Sequence, residues 1–222
     1  MTDEAPPPDP ASDLPPDAPA PPPSATETAT FGLGCFWGPE ARFGAMAGVV
    51  RTRVGYAGGT TPDPTYYDLG DHTEVVQAEY DPSVTSYADL LDVAWSVHDP
   101  RSSPPKRQYR NVILVATDAQ RAAAERRRRE VESALGGSVE TAIESLDAFY
   151  LAEPYHQKYH LRSTPALGDE LVDRYGDELV ESTVAARLNG FVAGHGDPDR
   201  RESFLASVAL PPQLLAEVRR RI

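Results

Sequence analysis

Short apolar runs and helical patterns alternate along the chain from about residue 28, and the spacing of their apolar positions predicts the elements in turn. Residues 29–33 read as a short strand, 38–46 as a first helix and 49–56 as a second strand. Residues 73–80 alternate between apolar and polar and read as a further strand, closed by Asp81-Pro82. Ser86 with Asp89 three positions on has the form of a capping box, and Leu90, Leu91, Ala94 and Trp95 behind it make one helical face. A compact apolar strand is predicted over 111–116, and then a long helix capped by Asp118 and running to about Leu135. Residues 139–146 look like a strand, the segment 149–159 is rich in aromatic residues, and helical patterns return at 178–188 and 212–220. Strands and helices in this mixed order predict an α+β fold, a two-layer sandwich of a mixed sheet packed by helices.

Proline divides the chain. Ten of the 22 prolines precede Ala25, interleaved with Ala and Asp, and large apolar residues are almost missing there. Such a stretch buries too little surface to offset its ordering entropy, so 1–28 is expected to be a disordered arm, a solubilising tail rather than a proline-rich ligand. The expected division is this arm, a central domain over 29–165, and a helical C-terminal extension over 166–222 that packs on the core.

Composition narrows the function classes. The chain has 222 residues, 40% of them hydrophobic, with 34 acidic against 21 basic side chains and a formal charge of -13. An acidic surplus argues against a nucleic-acid partner. The run of arginines at 126–129 could suggest a basic patch, but Glu125, Glu130 and Glu132 neutralise it, and a solvated helix face is the reading preferred here. No apolar run reaches the length of about 18 to 20 residues that a membrane span needs. With no basic-then-apolar leader and one cysteine, the chain is expected to work in a reducing, cytoplasmic compartment, as a monomer.

That cysteine is the candidate nucleophile. Cys35 sits in Gly34-Cys35-Phe36-Trp37-Gly38-Pro39-Glu40, where a strand pattern turns into a helix pattern. A helix N-terminus favours thiolate, and the two glycines are expected to let the backbone turn and a substrate approach. The same cysteine on its own could equally be a buried structural thiol. The segment Gly-Cys-Phe-Trp-Gly, however, resembles the active-site signature of the peptide methionine sulfoxide reductase A family. In the family's order follow Val54-Gly55-Tyr56-Ala57-Gly58-Gly59, Pro64-Thr65-Tyr66, Gly70-Asp71-His72-Thr73-Glu74-Val75-Val76, His98-Asp99-Pro100, Arg107-Gln108-Tyr109-Arg110 and Glu153-Pro154-Tyr155-His156-Gln157-Lys158-Tyr159. The resemblance covers about 29 to 162.

The resemblance implies the family's two-layer fold, with a ferredoxin-like core, and reduction of the S epimer of methionine sulfoxide in proteins and as the free amino acid. Cys35 would attack the sulfoxide sulfur. Glu74 would be the acid that protonates the oxygen, its pKa raised by a desolvated pocket beside Phe36 and Trp37. Tyr66 and Tyr109 match the tyrosines whose hydroxyls point at that oxygen, and Phe36 and Trp37 would enclose the methyl group. His156 is expected to pack and hydrogen-bond near the site, and His72 and His98 to orient backbone. No bound cofactor is expected. A lone cysteine leaves its sulfenic acid to an external thiol, whether thioredoxin, glutaredoxin or a small thiol.

Two departures from the family pattern stand out. Ser102-Ser103-Pro104-Pro105-Lys106-Arg107 occupies the place where relatives often carry an aspartate that helps hold the substrate, and the stretch from Tyr66 to Glu74 is shorter than in many of them. They keep open a non-catalytic sulfoxide-binding or redox-sensor module. A one-cysteine peroxide reductase would need a polar pocket, which Phe36 and Trp37 do not suggest. His156 and His160 lie four apart, but with no thiolate or acidic partner at metal-ligand spacing a metal site is not predicted.

Overall fold

The computed structural model describes residues 21–208 and 210–221; most of the expected N-terminal arm, 1–20, lies outside them. Within the remainder of that arm, Pro23–Ala25 forms a 3₁₀ turn, and the first strand already begins at Glu27.

The strands are β1 (Glu27–Leu33), β2 (Val49–Ala57), β3 (Thr73–Tyr80), β4 (Asn111–Val115), β5 (Ala142–Ser145) and β6 (Phe149–Leu151). The helices are α1 (Trp37–Gly44), α2 (Tyr87–Ser96), α3 (Asp118–Leu135), α4 (Tyr159–Arg162), α5 (Leu167–Tyr175), α6 (Thr183–Val192), α7 (Pro198–Ser207) and α8 (Pro212–Arg221). One sheet orders the strands β5-β4-β1-β3-β2-β6, antiparallel except for the parallel pair β4 and β5. Its centre, β1-α1-β2-β3-α2-β4 with spatial order 4-1-3-2, is a split βαβ, the ferredoxin-like arrangement.

Pleating sends alternate residues to opposite faces. Ala29, Phe31 and Leu33 of β1 and Val76, Ala78 and Tyr80 of β3 join Phe43 of α1, Leu90, Leu91 and Trp95 of α2 and Ala124 of α3 in the main core. The other face is covered by loops and the aromatic segment: Val54 and Tyr56 pack with Phe36 and Ala152, and Val75 with Val112 and Leu114. This double cover explains why β3, which alternates in sequence, is buried along nearly its whole length, Glu74 and Glu79 included. It is the central strand, hydrogen-bonded to β1 and β2.

The capping box at Ser86 and Asp89 forms as expected. On α3 the cap is Thr117, whose hydroxyl accepts the Gln120 N–H; Asp118 is the first helical residue. The strand expected over 139–146 is reduced to β5, because the Val139 N–H goes to the Glu132 side chain and the Glu140 N–H to the Pro100 carbonyl instead of the ladder. The helix expected over 178–188 is broken: a 3₁₀ turn, Gly176–Val180, ends before Ser182, which caps α6 by accepting the Ala185 N–H at 3.0 Å. Arg127 pairs with Asp92 and Glu130, and Arg128 with Glu132, so these arginines are spent on the helix surface.

The C-terminal helices build their own apolar cluster, with Leu167, Leu171, Val184, Leu188, Leu205 and Leu214 at its centre. They seat directly on the helix that follows Cys35. A Cβ at Gly190 would stand 2.5 Å from the Ala41 carbonyl oxygen, and one at Gly44 would stand 2.4 Å from that of Ala186, so α1 and α6 touch backbone to backbone. Arg187 donates to the carbonyls of Gly44 at 2.7 Å, Val49 at 2.8 Å and Met46.

Candidate active site

Gly34 adopts φ +82, which a side chain would oppose, and this turn carries the chain from β1 to the exposed Cys35 and into α1. Gly38 needs no such conformation; it is exposed with open space around its Cα, which leaves room for an incoming molecule. The Cys35 thiol is shifted in the direction opposite to that expected of a helix N-terminus. Desolvation by the surrounding protein pushes the Cys35 thiol up, the backbone N–H of Trp37 pulls it down, and the Glu74 charge raises it again.

Glu74, on central β3, is 1% exposed. Its Oε2 accepts the Phe36 N–H at 3.2 Å and its Oε1 accepts the Gln108 side-chain N–H at 2.7 Å. Burial raises its pKa, and the two hydrogen bonds oppose that rise without cancelling it. Tyr109 stands at the end of a 3₁₀ turn before β4. Its phenol is pushed up to about 12 by desolvation and by the charges of Glu74, Tyr66 and Cys35. These four side chains therefore share one electrostatic environment although they come from four separate segments.

The apolar side is a ring cluster. Phe36 lies edge-on to His156 at 5.2 Å between centroids, Trp37 lies 5.9 Å from His156 and stacks on Tyr159 at 3.6 Å, and Tyr66 lies 4.7 Å from His156. His156 is 3% exposed, and desolvation lowers its pKa more than Glu153 raises it, so it is neutral. It packs as expected, but neither ring nitrogen has a hydrogen-bond partner among the described residues, contrary to the hydrogen-bonding role expected for it. His72 and His98 do fasten backbone: His72 bonds the Thr61 carbonyl at 2.7 Å and the Gly59 N–H at 3.3 Å, and His98 bonds the Ala94 carbonyl at 2.7 Å.

The family model described as "Peptide methionine sulfoxide reductase" matches residues 27–182. A peptide methionine sulfoxide reductase of Drosophila melanogaster is 42% identical over 188 residues, covering 83% of this chain and 76% of its own. One from Methanothermobacter thermautotrophicus is 50% identical over 147 residues, 61% of this chain and 87% of its own. The chain belongs to the peptide methionine sulfoxide reductase family. It is an oxidoreductase of that class, and the structural likenesses agree. Methionine sulfoxide reductase A of Corynebacterium diphtheriae, 34% identical, superposes with a TM-score of 0.56 over 63% of this chain and 76% of that one. Reduced Mxr1 from Saccharomyces cerevisiae, 28% identical, gives 0.61 over 65% of this chain and 89% of that one.

In this reductase several supports of the site carry no signal in the local pattern. Glu153 is one: its Oε1 accepts the Tyr66 N–H at 2.8 Å and its Oε2 the Tyr56 hydroxyl at 2.7 Å. Burial alone would raise its pKa, but these bonds hold it below the usual carboxylate range. A second is the fully buried pair of Glu40 and Lys158. Lys158 Nζ reaches Glu40 Oε1 at 2.9 Å and the Thr52 carbonyl at 2.5 Å, while Glu40 Oε2 accepts the Lys158 N–H at 2.9 Å. Gln108 is a third. All three lie inside the segments that carry the family resemblance, which is the one signal that could have marked them.

The loop 102–106 is largely exposed and supplies no carboxylate where relatives often have one. The shortened stretch from Tyr66 to Glu74 still brings Tyr66 onto Tyr109, whose phenol feels the charges of both Glu74 and Cys35. Among the described residues no group of three or more His, Cys, Asp or Glu could hold a metal ion, and no helix is long and apolar enough to cross a membrane.

Proposed function

We propose that this chain reduces the S epimer of methionine sulfoxide, with Cys35 as nucleophile and Glu74 as proton donor. The observation that carries this reading is the position of Glu74. It is buried, raised in pKa and hydrogen-bonded to the residue after Cys35, which couples a desolvated acid to the nucleophile. One proton serves both groups: transfer from the thiol to Glu74 produces the thiolate that attacks and the acid that the departing oxygen needs, with no change in net charge.

Cys35 sulfur attacks the sulfoxide sulfur, and the oxygen passes to Cys35 as the proton arrives from Glu74. The sulfide leaves as methionine and Cys35 becomes a sulfenic acid, a two-electron oxidation that matches the reduction of the sulfoxide. Tyr66 and Tyr109 donate hydrogen bonds to the oxygen as its charge develops. Phe36, Trp37 and the neutral ring of His156 receive the methyl group and the side-chain stem.

A first external thiol condenses with the sulfenic acid, releasing water and forming a mixed disulfide; a second restores the Cys35 thiol and leaves as disulfide. With Cys35 as the sole cysteine, thioredoxin, glutaredoxin or a small thiol must supply both equivalents, in keeping with a reducing, cytoplasmic setting. The test is turnover of the separated S and R epimers of a methionine sulfoxide substrate with excess dithiothreitol. Multiple turnovers on the S epimer alone, abolished in Cys35→Ser, are expected. No turnover on either epimer by folded native protein would defeat the reading and leave a binding or sensor module.

A further inference from the structure

Among the described residues only two aromatic side chains are strongly exposed, and both stand at the edge of the ring cluster. Tyr67 is 90% exposed and Tyr155 is 51% exposed. Tyr67 lies edge-on to Tyr66 at 5.4 Å, and Tyr155 lies 4.2 Å from His156, so each exposed ring leans on a ring of the cluster. Tyr66 and His156 are themselves 4.7 Å apart, so the two exposed rings border one cluster. An unbroken aromatic surface thus leads from Phe36 through His156 and Tyr66 to solvent.

The placement of Tyr67 contributes little to folding, since a ring left in water gains almost nothing from burial. Its mounting is nonetheless firm. Glu153 precedes the turn that carries Tyr155 and accepts the N–H of Tyr66, the neighbour of Tyr67, so one carboxylate fixes both sides of the rim. An exposed apolar patch continuous with a binding pocket is the usual mark of a surface that meets a ligand's remainder.

We infer that Tyr67 and Tyr155 form a specificity rim for polypeptide substrates, receiving an aliphatic or aromatic residue next to the oxidised methionine. This rests on the reductase reading above and extends it to the substrate's flanks. Free methionine sulfoxide carries no neighbouring residue to set against these two rings. An apolar neighbour in a peptide is placed where the two rings can enclose it, and the gain falls on binding because the rings do not touch the reacting atoms.

The test uses the full chain with dithiothreitol and three substrates: free S-methionine sulfoxide, a short peptide with the sulfoxide flanked by leucine, and the same peptide flanked by serine. For native protein, kcat/KM is expected to be about tenfold higher on the leucine peptide than on the serine peptide, the range one apolar contact commands. In Tyr67→Ser/Tyr155→Ser the preference is expected to vanish through KM, with kcat/KM on the free amino acid held within about twofold. Both side chains are exposed, so the fold should persist, which circular dichroism checks. No preference in the native protein, or an equal fall on all three substrates in the variant, would overturn the rim. No turnover of any substrate by folded native protein would overturn the reductase reading and the rim together.

Discussion

The Glu74 carboxylate accepts the backbone N–H of Phe36 at 3.2 Å, which ties the proposed proton donor to the residue that follows the proposed nucleophile. That bond opposes the rise that burial imposes on Glu74, while the charge of Glu74 raises the Cys35 thiol. The carboxylate thus helps set the proton affinity of the thiol.

The coupling can be read by removing the charge. In Glu74→Gln the Coulombic contribution that raises the thiol disappears, so Cys35 should titrate at lower pH than in native protein. The rate of alkylation by iodoacetamide across pH measures this, and a midpoint that stays or moves upward would refute it. Turnover should fall about 10²- to 10⁴-fold in the same variant, the usual range for loss of a general acid.

Gln108→Leu works on the other partner. The Gln108 hydrogen bond favours the ionised carboxylate, so its loss should raise the Glu74 pKa further. The limb of the pH profile of kcat/KM that reports Glu74 should then move to higher pH. A shift to lower pH would contradict the assignment of that limb.

Tyr109→Phe should reduce kcat about a hundredfold, as removal of one donor to a developing oxyanion does. With its phenol held near 12, Tyr109 does not ionise below about pH 10, so the variant should leave the midpoints of the pH profile in place. Steady-state rates from pH 6 to 9 would show a uniform drop; a displaced midpoint would assign Tyr109 a titrating role instead.

The buried pair behind the site predicts a stability pattern. Lys158→Met removes the cation that Glu40 pairs with in a fully buried place, at a cost of about 3 to 5 kcal/mol. Glu40→Leu/Lys158→Met should regain most of that loss. Urea denaturation of the native protein, the single variant and the double variant would decide, and a double variant no more stable than the single one would count against the account.

Much was legible in the linear pattern. The four central strands and two helices of the split βαβ follow from periods of two and 3.6 residues, which are local properties. The Ser86 capping box was equally plain, because both partners lie within one turn. Cys35 stands out as the sole cysteine, between two glycines, and the family resemblance points to Glu74, Tyr66 and Tyr109 from sequence alone.

Other features depended on which segments meet. The alternation of 73–80 marked a strand, but its interior position in the sheet, covered on both faces, is what desolvates Glu74. A helix start at Cys35 suggested a lowered thiol pKa, yet crowding and a neighbouring carboxylate reverse the sign. Tyr56 and Glu153 stand 97 residues apart, and Glu40 and Lys158 stand 118 apart, so no window of sequence contains either contact. Sequence alone determined the local elements and the residue types available for the chemistry, because backbone propensity and apolar spacing act over a few residues. The tertiary structure decided burial, charge coupling and the mounting of the aromatic rim, because desolvation and Coulomb forces depend on distance in space and not on distance along the chain.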